Sequence, residues 1–158
     1  MKILAALAFA ALAGAAHAAA DKPGEKPQLK IATLDGKTFD LAAQKGKWVI
    51  VNFWATWCSP CIKELPDISK FVEKNKHVTA IGLAYDDSEK SEIMAFLKEH
   101  PVSYPMAQVD TLDPPKAFET PRGLPTTYII DPEGKVTQKF AGPLDENSLS
   151  KAIPAAKP

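Results

Sequence analysis

Cys58 and Cys61 are the two cysteines of this chain, and two residues separate them in Trp57-Cys58-Ser59-Pro60-Cys61. Thiols at that spacing can close a disulfide within one helical turn. Where a helix starts at the pair, its free N–H groups and the positive end of its dipole favour thiolate over thiol. A loop this short constrains an unfolded chain very little, so the pair is a poor staple and suits reversible two-electron exchange. Haem attachment needs a His directly after the second Cys, and that position is Ile62. Zinc needs two further ligands, while His77 and His100 stand isolated and no other cysteine exists, so neither a metal nor another cofactor is expected.

The elements around the pair supply the required strand-to-helix junction. Lys47 to Ala55 is continuous, β-branched and aromatic, the pattern of a buried strand. A helix is predicted from about Pro60 to Asn75, with Ile62, Leu65, Ile68, Phe71 and Val72 on one face and Pro66 expected to kink or restart it. Upstream, Leu29–Leu34 and Thr38–Leu41 read as a hairpin around Asp35-Gly36. Downstream come a strand over His77–Ala84 and a helix capped by Asp86-Asp87-Ser88 that ends near His100-Pro101. A short strand over Tyr104–Val109 and a short helix from Asp113-Pro114-Pro115 to Phe118 follow. Pro121–Pro125 is a stiff loop into a strand over Thr126–Ile130, paired through Asp131–Gly134 with Lys135–Phe140, before a last helix over Ser148–Ile153. This order predicts one α/β domain with right-handed crossovers.

Residues 1–18 have the layout of a secretory signal peptide: a charged start, an apolar core over Ile3–Ala13 and small-x-small at Ala16-His17-Ala18. The alternative is an uncleaved anchor, although the apolar run falls short of the ~20 residues a span needs. Residues 19–28 read as an extended leader, 29–153 as the domain and 154–158 as a frayed tail. Cleavage removes Lys2 and leaves 18 Lys+Arg against 19 Asp+Glu. That balance, with Arg122 as the one arginine, gives no electrostatic reason to expect nucleic acid or an anionic membrane as partner.

Asn52-Phe53-Trp54-Ala55-Thr56-Trp57-Cys58-Ser59-Pro60-Cys61, then Glu64-Leu65-Pro66 and later Gly123-Leu124-Pro125-Thr126-Thr127-Tyr128-Ile129-Ile130-Asp131, resembles the thioredoxin superfamily. Within it, the match is to exported TlpA/ResA-like thiol–disulfide oxidoreductases, the group that includes cytochrome c maturation reductases. The resemblance covers about Gln28 to Ile153. It implies a thioredoxin-like fold: a central mixed sheet flanked by helices, an N-terminal β-hairpin and a strand-helix insertion over Glu89–Val109. It also implies a cis Leu124–Pro125 bond beside the dithiol, in a loop that presents backbone to the substrate chain and keeps metal away.

Several residue roles follow. Cys58, before the helix and open to solvent, is expected to be the attacking thiol, and Cys61, one turn in, the shielded resolving thiol. Thioredoxins of the cytoplasm carry a buried aspartate where this chain has Asn52. Glu64, three residues past Cys61, is the substitute acid, able to tune thiol pKa values and accept a proton; the alternative is a solvated carboxylate at the helix start. Trp57, Pro60, Leu124 and Pro125 are expected to form the docking surface, Trp54 the core. Arg122 and Tyr128 are read as structural, Ser59 and Lys63 as surface.

The expected function is a periplasmic, soluble, monomeric reductase, kept reduced by a membrane thiol conduit. By resemblance its clients are cysteine-containing proteins such as apocytochromes c or copper-site assembly proteins. A redox-dependent binding or chaperone module without turnover is the competing class. A thiol peroxidase is disfavoured, because Thr56 lies only two residues before Cys58 where that chemistry wants Thr-x-x-Cys.

Overall fold

The structure is a computed structural model that describes residues 22–156; the expected signal peptide lies outside the described residues. Seven strands and three helices occur among them: β1 Lys30–Ala32, β2 Thr38–Asp40, β3 Trp48–Trp54, α1 Ser59–Lys74, β4 Val78–Tyr85, α2 Lys90–Glu99, β5 Met106–Val109, β6 Thr126–Ile130, β7 Val136–Ala141 and α3 Glu146–Ala152. A five-stranded mixed sheet runs β5-β4-β3-β6-β7, and β1 and β2 form a separate antiparallel pair. β3, β4 and β5 are parallel, while β6 and β7 are antiparallel to their neighbours. This is the α/β, thioredoxin-like architecture that the residue pattern implied, insertion and hairpin included.

β3 is buried along almost its whole length because both faces of the sheet are covered. Its alternation sends Ile50 and Trp54 into a cluster with Leu65, Ile68, Phe71, Ile93 and Leu149, drawn from all three helices. Val49, Val51 and Phe53 face the opposite way, onto Leu29, Phe39, Leu41 and Phe118 from the hairpin and a downstream loop. The helices thus stand on one face and the N-terminal hairpin covers the other. The leader also closes an edge: Gly24 N–H donates to Val136 O at 2.7 Å and Val136 N–H to Glu25 O at 2.8 Å.

Three local expectations are corrected. Helix α1 runs as one helix through Pro66, so the proline does not restart it. Helix α2 starts later than expected, capped by Glu89 with a capping box to Glu92 rather than by Asp86-Asp87-Ser88. The Asp86 side chain is engaged elsewhere. The helix expected over Asp113–Phe118 is absent. Each proline disfavours helical backbone at the residue before it, here Asp113 and Pro114, and Asp110 Oδ1 turns the chain just before them by accepting from Leu112 N–H at 2.8 Å. A single Phe118 N–H to Pro115 O bond at 3.3 Å remains, with the Phe118 ring packed at a tilt against Tyr128, centroids 4.8 Å apart.

One glycine sets how closely the layers meet. Gly82 on β4 lies in register between Asn52 and Met106. A Cβ there would come within 3.1 Å of Trp54 Nε1 and collide with Met106 Sδ. Gly82→Ala should therefore destabilise the fold by about 1–3 kcal/mol in urea unfolding, with Met106→Ala recovering part of the loss. A Gly82→Ala protein as stable as the wild type would contradict this packing.

Candidate active site

The dithiol sits where β3 hands over to α1. β3 ends at Trp54, and Cys58 N–H bonds back to Ala55 O at 3.2 Å, closing a turn. Cys58 is the N-cap of α1: its backbone is extended and its Sγ accepts from Cys61 N–H at 3.3 Å. Sulfur therefore takes the place that a Ser or Asp oxygen normally occupies at a helix start, against the positive end of the dipole. Pro60 follows in the first turn, where a missing N–H costs nothing.

The two cysteines are disulfide-bonded, with their Cα atoms 5.2 Å apart. Cys61 is 0% exposed and Cys58 only 5%, so the open sulfur expected at Cys58 is instead largely covered in this oxidised form. Both belong to the helix-side core cluster, against which Leu124 packs. Trp57 projects at 68% exposure, Pro60 is exposed and Pro125 is buried. The Leu124–Pro125 bond is cis. Trp54 lies in the core, Lys63 is at the surface, and Arg122 forms an exposed ion pair with Glu119 at 3.1 Å.

Glu64 departs most from an ordinary surface carboxylate. It is one helical turn beyond Cys61 and 1% exposed, which excludes the solvated alternative. Oε1 accepts from Asn52 Nδ2 at 2.7 Å, and Oε2 accepts from Leu144 N–H at 2.8 Å. Asn52 Nδ2 also donates to Thr127 Oγ1 at 3.0 Å, two residues past Pro125. Burial pushes the carboxyl up from 4.5 to about 7, against the opposing pull of the Leu144 and Asn52 donors. Tyr104 is also buried, and desolvation, with the Glu64 charge second, pushes its phenol above the usual range.

Glu64, the candidate acid, and Asn52, the amide read as standing in the place of a strand aspartate, are thus hydrogen-bonded partners. Three further contributors escaped the sequence reading: the Leu144 amide, Thr127 and Asp86. The first has no sequence signature, because any non-proline residue supplies an N–H. Thr127 lies in the Gly123–Asp131 motif, but nothing there marks its hydroxyl. The Asp86 carboxylate accepts from Thr56 N–H at 2.7 Å and Thr56 Oγ1 at 2.6 Å; an Asp doublet directly after a strand is visible in the sequence but looks like a helix cap. No group of three or more His, Cys, Asp or Glu able to hold a metal occurs among the described residues. The arrangement can pass electrons between sulfurs and hold or release a proton at Glu64.

Comparisons with known proteins agree with this chemistry. The family model described as Redoxin matches residues 18–153. A thiol-disulfide oxidoreductase ResA from Bacillus cereus is 35% identical over 127 residues, which cover 79% of this chain and 72% of that protein. ResA of Bacillus subtilis (strain 168) is 31% identical over 136 residues, covering 85% and 75%. A thiol:disulfide interchange protein of the thioredoxin family from Chlorobium tepidum TLS superposes with a TM-score of 0.73 at 29% identity, over 85% of this chain and 96% of that one.

The raised Glu64 value has a signed consequence for stability. Its contribution is fully present below about 4.5 and is lost as pH rises through about 7. A shift of this size amounts to roughly 3 kcal/mol. Glu64→Gln, which cannot titrate, should lose that decline when urea unfolding of the oxidised protein is measured across the window. An undiminished decline in the variant would show that Glu64 is not its source.

Proposed function

The chain belongs to the Redoxin family and is a thiol–disulfide oxidoreductase, and from that premise we propose that it is an exported reductase of client disulfides. Residues 1–18 are its signal peptide and 29–153 its working domain, acting as a soluble monomer in the periplasm. The clients are cysteine-bearing proteins of the apocytochrome c or copper-site assembly kind, and a membrane thiol conduit returns the electrons. The absence of any helix long and apolar enough to cross a membrane among the described residues is compatible with this. The observation that carries the reading is the buried Glu64 carboxyl, poised to exchange a proton one turn beyond Cys61.

The steps follow from the placement of the side chains. In the reduced protein the Cys58 thiolate attacks one sulfur of the client disulfide, and the client's other sulfur leaves with the bonding electrons. Trp57, Pro60 and Leu124 form the surface on which the client segment lies, and the buried Pro125 stands behind it just before β6. Cys61 must then lose its proton to attack Cys58. Its shielded position disfavours a thiolate, and the ionised Glu64 carboxylate is the group that takes the proton. The new Cys58–Cys61 disulfide releases the second client sulfur, so the protein is oxidised by two electrons and the client gains two thiols. The two protons given up by Cys58 and Cys61 balance those taken up by the client sulfurs. The bonded pair in the structure is the product of that half-cycle.

Equilibration with a glutathione or dithiothreitol redox buffer decides the direction. A reductase should show a potential in the low, thioredoxin-like region, about −270 mV, whereas about −120 mV is that of a strong oxidant and would overturn the assignment.

A further inference from the structure

Glu64 and Asp86 are the two buried carboxylates among the described residues, 1% and 2% exposed. One lies a helical turn beyond Cys61, and the other is bonded to the residue two before Cys58. Their surroundings push them apart. Burial alone would raise the Asp86 carboxyl, but the bonds from Thr56 and Ser88 outweigh it and hold it below the usual carboxylate range. Asp86 therefore stays ionised where Glu64 can pick up a proton.

The contacts of Asp86 are local to the dithiol turn. Thr56 follows the end of β3 and precedes α1, so neither ladder supplies an acceptor for its N–H. Asp86 Oδ2 takes that N–H and the Thr56 hydroxyl, and Oδ1 takes Ser88 N–H at 2.9 Å. Gln108 Nε2, from β5, donates to Asp86 O at 3.2 Å and to Ser88 O at 2.8 Å. The ends of β3, β4 and β5 are in this way tied at one point. A neutral acceptor could make the same bonds to Thr56 without the cost of burying a charge. The charge that is kept lies against a residue from which Cys58 is at most about 7 Å along the chain.

We propose that Asp86 is a positioning residue for the attacking sulfur: it pins the Thr56–Cys58 turn to the end of β4, and its buried negative charge opposes thiolate formation at Cys58. The inference deepens the reductase reading and rests on it for the assignment of Cys58 as attacker. A thiolate that is stabilised favours the reduced form and makes a dithiol oxidising; a fixed anion nearby does the reverse. The helix start pulls the other way, so Asp86 offsets an effect that α1 imposes by its geometry. Other charged groups near the turn are Lys63 and Glu64 on α1, Asp87 and Glu89 after β4, Asp110 after β5, and Arg122 before Pro125. Apart from Glu64 these lie at the surface, and water and salt screen them.

The test compares three variants with the wild type by the pH dependence of the Cys58 alkylation rate in the reduced protein. Asp86→Asn removes the charge at nearly constant volume. Thr56→Val removes one bond to Asp86 and leaves the charge. Asp86→Ser, also uncharged and still able to accept, is read in the same way if Asp86→Asn fails to fold. The uncharged variants should move the thiolate midpoint down by about one pH unit, a tenfold gain in thiolate below the midpoint. At a pH where thiolate is populated, their equilibrium with glutathione should shift about tenfold toward the reduced form, or about 30 mV upward. Thr56→Val should not lower the midpoint. An unchanged or raised midpoint without the charge, or an equal fall in Thr56→Val, overturns the proposal. These are differences from the wild type, so an oxidising wild-type potential would defeat the reductase reading while leaving the role of Asp86 to be decided separately.

Discussion

The site depends on the burial of one carboxyl group. Glu64 is held out of water by two neutral donors, Asn52 Nδ2 and Leu144 N–H, and burial outweighs their pull on its titration. An isolated carboxylate in such a place would be too costly to keep ionised, and leaving the Asn52 NH2 group unpaired would add a smaller cost of its own. The solution commits three parts of the chain at once. Asn52 must lie on the helix side of β3, α1 must bring Glu64 over it, and the turn between β7 and α3 must aim its Leu144 amide inward. A group so balanced can hold a proton or release it near neutral pH.

The sheet makes this balance possible. β3 lies at its centre, parallel to β4 and antiparallel to β6, so Asn52 is fixed between Gly82 and Thr127. Gly82 contributes no side chain, and Met106 and Trp54 fill the space. Thr127 accepts from the same Asn52 nitrogen that serves Glu64, which joins the acid to the strand that begins just after cis-Pro125. The strand that follows the Gly123–Pro125 loop and the helix that starts at the cysteines thus share one buried hydrogen-bond chain. The hairpin and leader on the other face complete the burial of β3 and one sheet edge, without touching the chemistry.

Much of this is legible in the residues, for identifiable reasons. The continuous apolar run at β3, the cysteine spacing and the amphipathic pattern of α1 report directly on burial and period, and they place the dithiol at its junction. Asn52 and Glu64 can be named as an exchanged pair of polar positions through the family resemblance, which fixes what other members carry at these offsets from Cys58. Their mutual hydrogen bond cannot, since twelve residues and a change of element separate them. The Leu144 amide is beyond reach because backbone donors carry no sequence signature. Asp86 is misread through local logic: three capping residues before a helix look like a cap, yet the tertiary demand of the Thr56 amide takes the first of them. The failed helix after Asp113 shows the opposite error, in which a capping signal is credited although each of two prolines disfavours helical backbone at the residue before it.

In the proposed mechanism the two buried carboxylates divide the work of tuning the sulfurs. Asp86 receives enough donors to stay charged, and Glu64 too few to be held in the ordinary range, so one acts as a fixed charge and the other as a movable proton. That division stands or falls with the state of Glu64. Titration of its side-chain carboxyl carbon by NMR in the oxidised protein tests it most directly. The account predicts a midpoint near 7; a midpoint at the ordinary 4.5 would contradict it.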